Sequence, residues 1–263
     1  MRKTLVFMAK YIYVLFANYY LFTFGLLSAK RRRVIHMIAS ETGFPSLTKT
    51  VIRIPHTSID DLVASTALIH LCEQAVIDGN MTLTELLVLN ELIFHHKPQV
   101  VFEFGTFDGR TTLNMAANTP DDTIVYTLDL PKDFINSTAL RIEALDRRYI
   151  DKNTSGARYA GTSWEAKVRQ LYGDSATFDF SEFVGRVDFV VVDASHSYQY
   201  VLSDSRNAIK MLRDGRGVIL WHDYTGTGWV GVNKAINELY VKDAYFAKLR
   251  YIEGTSFACL ICD

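Results

Sequence analysis

The sequence predicts an α/β domain built on a doubly wound, mostly parallel sheet, preceded by a hydrophobic N-terminal helical extension. Two observations carry that prediction. From residue 100 onward, short apolar runs alternate with segments of helical period, the pattern of strands whose crossovers are helices. The chain is also 263 residues long with 49% hydrophobic residues, enough for one large core and an extra segment but not for two equal domains. Its balance of 28 Lys and Arg against 29 Asp and Glu supplies no field for a phosphate backbone, so nucleic acid is not the expected partner.

The extension comes first. Leu5 to Leu27 is apolar except for Lys10, Asn18 and Thr23, and the cations Lys30 to Arg33 follow it. Its uncharged core, Tyr11 to Leu27, rises only about 26 Å as a helix, short of a hydrocarbon thickness of about 30 Å. Lys10 would have to snorkel. A cleaved signal is disfavoured, because no small-x-small site ends the run and four cations lie just beyond it. Those cations favour the cytoplasm, or the cytoplasmic face of a membrane. Tyr11, Tyr13, Tyr19 and Tyr20 suit a headgroup interface, so residues 5–27 are expected to contact a membrane, to span it, or to pack on the chain's own domain or a second copy in a homo-oligomer.

Residues 1–33 therefore form one segment and 34–80 a connector with a helical cap. Gly43, Pro45 and Pro55 break the first part of the connector; Ser58 then reads as the N-cap of a helix running to Gly79. The main domain, 81–263, opens with a second helix, where Thr82 and Glu85 have capping-box spacing and Pro98 marks the stop. Strands are expected at 100–104, 123–130, 168–175, 187–193 and 216–223, with helices beginning at Arg110, around 137–150 and at about Tyr200. The last two runs, 249–254 and 255–262, read as an antiparallel pair turning at Gly254. Cys259 and Cys262 would face opposite sides of such a strand, which argues for packing rather than a zinc or redox pair; with Cys72 they make three cysteines, too few for a disulfide framework.

Asp129, Asp174, Asp193 and Asp223 each terminate a predicted strand, so a parallel sheet gathers them at its carboxyl edge. Any one could be a helix cap; four together point to a site. "EFGTFDG" places Glu103, Gly105 and Gly109 between strand and helix. Phe107 stands where a dinucleotide loop needs its second glycine, which disfavours NAD. A cofactor bearing a carboxylate and an ammonium, like the methionine half of S-adenosylmethionine, needs only a tight turn, backbone N–H groups and an acid. Asp129, twenty residues past Gly109, can accept both hydrogen bonds of a ribose diol.

These motifs, with "LYGDS", "DFVVVDASHSYQYVLSD" and "GVILWHDY", resemble the class I S-adenosylmethionine-dependent methyltransferases, nearest the branch of small-molecule and macrolide-sugar O-methyltransferases. The resemblance runs from about Thr82 to the C-terminus. It implies a Rossmann-like, seven-stranded sheet and methyl transfer to a small hydroxylated acceptor such as a sugar. It assigns Glu103, Gly105, Thr106 and Gly109 to the methionine end of the cofactor, Asp129 to the ribose, and Asp174 and Ser175 to the adenine edge. Relatives in that branch hold a divalent cation such as Mg2+ through an acid after the fourth strand and two residues after the fifth, which implies Asp193, His222 and Asp223 here. Such an ion would acidify the acceptor hydroxyl. His196, with a ring that titrates near neutrality, is then the candidate base beside Asp193. "HD" departs from the oxygen pair of those relatives, so His222 is a ligand, a second base or a core residue. Tyr198 and Tyr224 are pocket-lining or packing residues, and Trp229 in "GTGWVG" is a candidate lid. Two further readings remain: a membrane-associated module that binds cofactor without catalysis, and an iron oxygenase using Asp193, His196, His222 and Asp223.

Overall fold

The computed structural model describes residues 2–28, 31, 35, 51–63, 68–225 and 228–262. Lys30, Arg32 and Arg33, the breakers Gly43 and Pro45, and residues 226–227 lie outside them. The chain divides into two compact units, Met1–Lys49 and Thr50–Asp263. In the first, α1 runs Arg2–Thr23 and tightens into a 3-10 turn at Phe24–Leu27. Among the described residues no helix is long and apolar enough to cross a membrane.

The second unit is a single eight-stranded sheet. In chain order the strands are β1 (His56–Thr57), β2 (Val100–Phe104), β3 (Ile124–Asp129), β4 (Val168–Tyr172), β5 (Phe189–Val192), β6 (Gly217–Trp221), β7 (Arg250–Ile252) and β8 (Ala258–Cys262). Their spatial order is β1-β7-β8-β6-β5-β2-β3-β4. All pairs are parallel except β6 with β8 and β7 with β8, the antiparallel pair expected from the last two runs. The strand beyond the expected seven is β1, two residues of the connector that pair with β7. The chain leaves β2 towards β3 and β4, then returns to the other side of β2 through β5 and β6. That reversal is the switch point at which parallel sheets open a crevice.

Strand alternation divides the core between the two faces. Val101, Val125, Val191 and Leu220 pack against α2 (Leu83–His96) and α3 (Arg110–Asn118), whereas Phe102, Phe104, Val190 and Trp221 pack against α5 (Tyr198–Met211) and α6 (Val230–Lys242). Cys259 lies in the first cluster and Cys262 against the second, on opposite faces as the spacing requires.

Two expected helices differ. Residues 58–63 form only a turn, closed by Leu62 N–H and Val63 N–H donating to the Ile59 carbonyl, and 68–77 contain no helix. His70 and Cys72 instead run extended along α3, where the Asn114 and Asn118 amides, one turn apart, bond both their N–H and C=O groups. Side-chain amides thus supply what helical hydrogen bonds would have supplied. In 137–150 the only α-helix is α4, Arg147–Ile150. From Thr50 on, the connector belongs to the main unit: Ile54 is buried, and Arg53 N–H donates to Tyr224 Oη and Asn237 Oδ1.

Candidate active site

The site is built on the loops leaving β2, β3, β4, β5 and β6. After β2, Gly105 has φ +93°, and a Cβ there would lie 2.1 Å from the Asp193 carbonyl oxygen. Only glycine lets the two loops approach so closely. Phe107 also has positive φ, and Gly109 at φ +85° opens α3 without a side-chain cap.

Two adjoining cavities meet at Gly105, Phe107, Tyr149, Asp193 and Ala194. The first has an empty volume of about 640 Å³, including its open mouth, with Asp129, Asp174 and Ser175 on its wall beside Leu128, Ile142 and Ile150. The second, of about 840 Å³, is lined by Thr106, His196, His222, Asp223 and Trp229. Asp193 is the carboxylate common to both.

In the first cavity, Asp129 Oδ2 takes an ion pair from Lys152 Nζ at 2.8 Å and a hydrogen bond from Ser155. These contacts fix the carboxylate. Asp174 is committed to holding the cavity wall: its oxygens accept from Ala139 N–H at 2.6 Å, Ala176 N–H at 2.9 Å and Tyr200 Oη at 2.7 Å.

Glu103 corrects the reading from sequence. On β2 it faces the α3 side with Val101, completely buried, and Oε2 accepts from Thr112 and Thr127 at 2.5 Å each. It lines neither cavity, so no ligand ammonium there reaches it. Burial pushes its carboxyl up to about 8, against the two threonine hydrogen bonds. Thr106 Oγ1 lies 2.6 Å from Thr127 Oγ1, so Glu103 supports the loop after β2 from behind. Gly109 likewise lies outside both cavity walls, and its Cβ would strike Gly156.

Around the second cavity, four acids and two histidines interlock. His196 Nδ1 lies 2.7 Å from Asp146 Oδ1, Nε2 lies 2.9 Å from Asp223 Oδ2, and the Trp229 indole stacks on the ring at 3.7 Å. Burial alone would lower its pKa; the two carboxylates outweigh that and raise it to about 9. The two carboxylates thus favour the imidazolium form of His196, with a proton on each nitrogen, which counts against its acting as a free base. His222 Nδ1 sits 3.1 Å from Asp193 Oδ1 and 3.2 Å from Asp223 Oδ2, with Nε2 3.4 Å from Glu85 Oε2. Its pKa is likewise raised: burial opposes the charge, but Asp193 and Asp223 prevail. One ligand atom each from Asp193, His196 and Asp223 lie within 4.8 Å of one another. That convergent set has His196 where the sequence suggested His222.

Tyr198 and Tyr224 are packing residues. Tyr198 Oη donates to Glu238 at 2.7 Å, and Tyr224 is fully buried with Oη donating to Asn237 Oδ1. Trp229 does line the second cavity. Sequence reasoning missed Asp146, which follows no strand. It also gave Glu85 only a capping role; the capping box is present, yet the same carboxylate accepts from Ser256 and reaches His222.

A crevice at the switch point of a parallel sheet, with one carboxylate shared between two cavities, defines a two-ligand α/β enzyme. Residues 102–224, just under half of the chain, match the family model described as a methyltransferase domain. No curated protein sequence matches the chain. Among solved structures, the chain is similar to the O-methyltransferase TomG of Streptomyces achromogenes, involved in tomaymycin synthesis and bound to S-adenosylmethionine, at 17% identity, TM-score 0.50, over 72% of this chain and 84% of that one. It is also similar to an S-adenosylhomocysteine-bound methyltransferase of Podospora anserina, at 16% identity and TM-score 0.48, over 71% of this chain and 81% of that one.

Proposed function

We propose that the protein transfers a methyl group from S-adenosylmethionine to a hydroxyl of a small acceptor such as a sugar, with cofactor in the first cavity and acceptor in the second. The observation that carries this reading is Asp193, whose carboxylate borders both. The ribose diol bonds Asp129 on Oδ1, the oxygen that Lys152 and Ser155 leave free. The adenine lies between Leu128, Ile142 and Ile150 near Ser175.

In the transfer, the acceptor oxygen forms the O–CH3 bond as the S–CH3 bond breaks; the electron pair goes to sulfur, leaving S-adenosylhomocysteine, and the hydroxyl proton passes to the Asp193 carboxylate. The protein's main contribution is alignment. His196 and His222, held as cations, fix Asp223 and Asp193 in position.

With His196 in its neutral form, Nε2 stripped of its proton, one atom each from Asp193, Asp223 and His196 would also fit a divalent cation in number and spacing. Such an ion supplies a Lewis acid that lowers the acceptor hydroxyl's pKa. Activity assayed after chelation and after add-back of Mg2+ tests this: full activity in chelator excludes the ion.

Calorimetric titration with S-adenosylmethionine tests the proposal first, and failure of the intact protein to bind sinks it. Asp129→Ala should weaken that binding at least about tenfold, since a buried charge-assisted hydrogen bond is worth about 1.5–3 kcal/mol. Asp193→Asn should bind cofactor normally and transfer methyl at least about a hundredfold more slowly, the lower range for a lost general base. Unchanged turnover refutes its role.

A further inference from the structure

The first unit carries an exposed surface unlike the rest of the molecule. On α1, Val6, Tyr13 and Tyr20 line one face at seven-residue spacing, Met8, Leu15 and Phe22 line the opposite one, and Ile12, Phe16 and Tyr19 lie between them. Every one of these nine side chains is exposed, Phe16 by 71%. Exposed Tyr11 and Val14 stand on the remaining arc, and whereas a helix meant for one protein groove shows one apolar stripe and a polar back, apolar residues on all sides call for an apolar phase.

The charges specify which phase. Seven of the 28 Lys and Arg residues, and none of the 29 Asp and Glu residues, precede residue 41, leaving 21 cations against 29 acids in the remainder. Two copies of so positive a segment repel, which disfavours self-pairing. At the carboxyl end of the helix the Arg31 guanidinium sits over the Tyr20 ring, 4.7 Å from its centroid, and donates to the Tyr20 hydroxyl. A cation is thus held beside an aromatic residue of the kind that occupies headgroup regions. The helix from Tyr11 to Thr23 rises about 20 Å, enough to embed and too little to cross.

We propose that α1 and the cations flanking it dock on an anionic lipid surface, with the apolar side chains in the headgroup–acyl boundary and Arg31 among the lipid charges, holding the methyltransferase domain at that surface.

Co-sedimentation of the full chain with vesicles tests it. Retention is expected on phosphatidylcholine vesicles containing phosphatidylglycerol, with little on phosphatidylcholine alone. Changing Lys30, Arg31, Arg32 and Arg33 together to Glu should lower retention at least about tenfold, because each cation near such a surface contributes on the order of 1 kcal/mol. Phe16→Asp should lower it as well, and an unchanged thermal melt shows that the domain remains folded in both variants. Absence from both vesicle types, equal retention on both, or a lipid-independent dimer that Phe16→Asp returns to monomer overturns the proposal.

Discussion

At the scale of single residues, the site depends on histidines that are charged because carboxylates surround them. His196 shows the balance: burial opposes its charge, yet Asp146 and Asp223 hold its pKa at about 9. A histidine whose folded pKa exceeds its unfolded value contributes stability that is complete below about pH 6.5 and is lost as pH rises through about 9. His196→Asn leaves Asp146 and Asp223 buried without their shared cation. It should cost about 3 kcal/mol or more at pH 6, the usual scale for one broken partner of a buried pair, and much less at pH 10. Chemical denaturation at the two pH values checks it; an equal loss at both shows that the ring serves by packing on Trp229 alone. These acids differed in legibility. Asp193 stands directly after an apolar run and Asp223 one residue beyond another, so chain position alone drew attention to them. Asp146 lies between segments with no strand period, and its partner is fifty residues away. No local pattern encodes such a contact.

At the scale of elements, the strands were the most legible part of the chain. Val100–Phe104 is flanked by Pro98 and Gly105 and buried on both sides, so its limits are written in the residues themselves. The segment before α2 was not legible, because its helical spacing competes with the amides of Asn114 and Asn118, which hold His70 and Cys72 extended. Alternation on β2 also decided against Glu103 as a ligand residue: side chains two apart share a face, and Val101 had already placed that face on α3. The loop after β2 has its own requirement. Gly105→Ala must relieve a Cβ approach of 2.1 Å to backbone at positive φ, so either the β2 loop or the β5 loop has to move. A loss of about 1–3 kcal/mol in stability is expected from the backbone strain alone. Cofactor affinity should fall with it, because Gly105 itself lines both cavities. A thermal melt with a cofactor titration measures both, and normal affinity in a destabilised variant separates the fold's need for glycine from the ligand's.

At the scale of the whole molecule, two buried acids, Glu103 and Asp204, contribute a pH dependence of stability opposite to that of the paired carboxylates, and Glu103 shows it most clearly. Glu103 has its carboxyl raised to about 8 by burial, outweighing the hydrogen bonds from Thr112 and Thr127, and Oε1 has no partner. Between its unfolded pKa near 4.5 and its folded value near 8, the native state keeps a proton that the unfolded chain has released. The unfolded state then binds fewer protons, so this group's contribution to stability falls as pH rises, at most by about 1.4 kcal/mol per pH unit. Paired carboxylates such as Glu85, held well below the usual range by His222 and Ser256 despite burial, give the reverse slope at acid pH. Glu103→Gln keeps an oxygen for the two threonine hydroxyls and removes the titration. The variant should therefore gain stability relative to the parent as pH rises from 5 to 8, and the difference between their denaturation free energies should level off above about 8. If the difference is the same at pH 5 and pH 8, Glu103 does not titrate in that window.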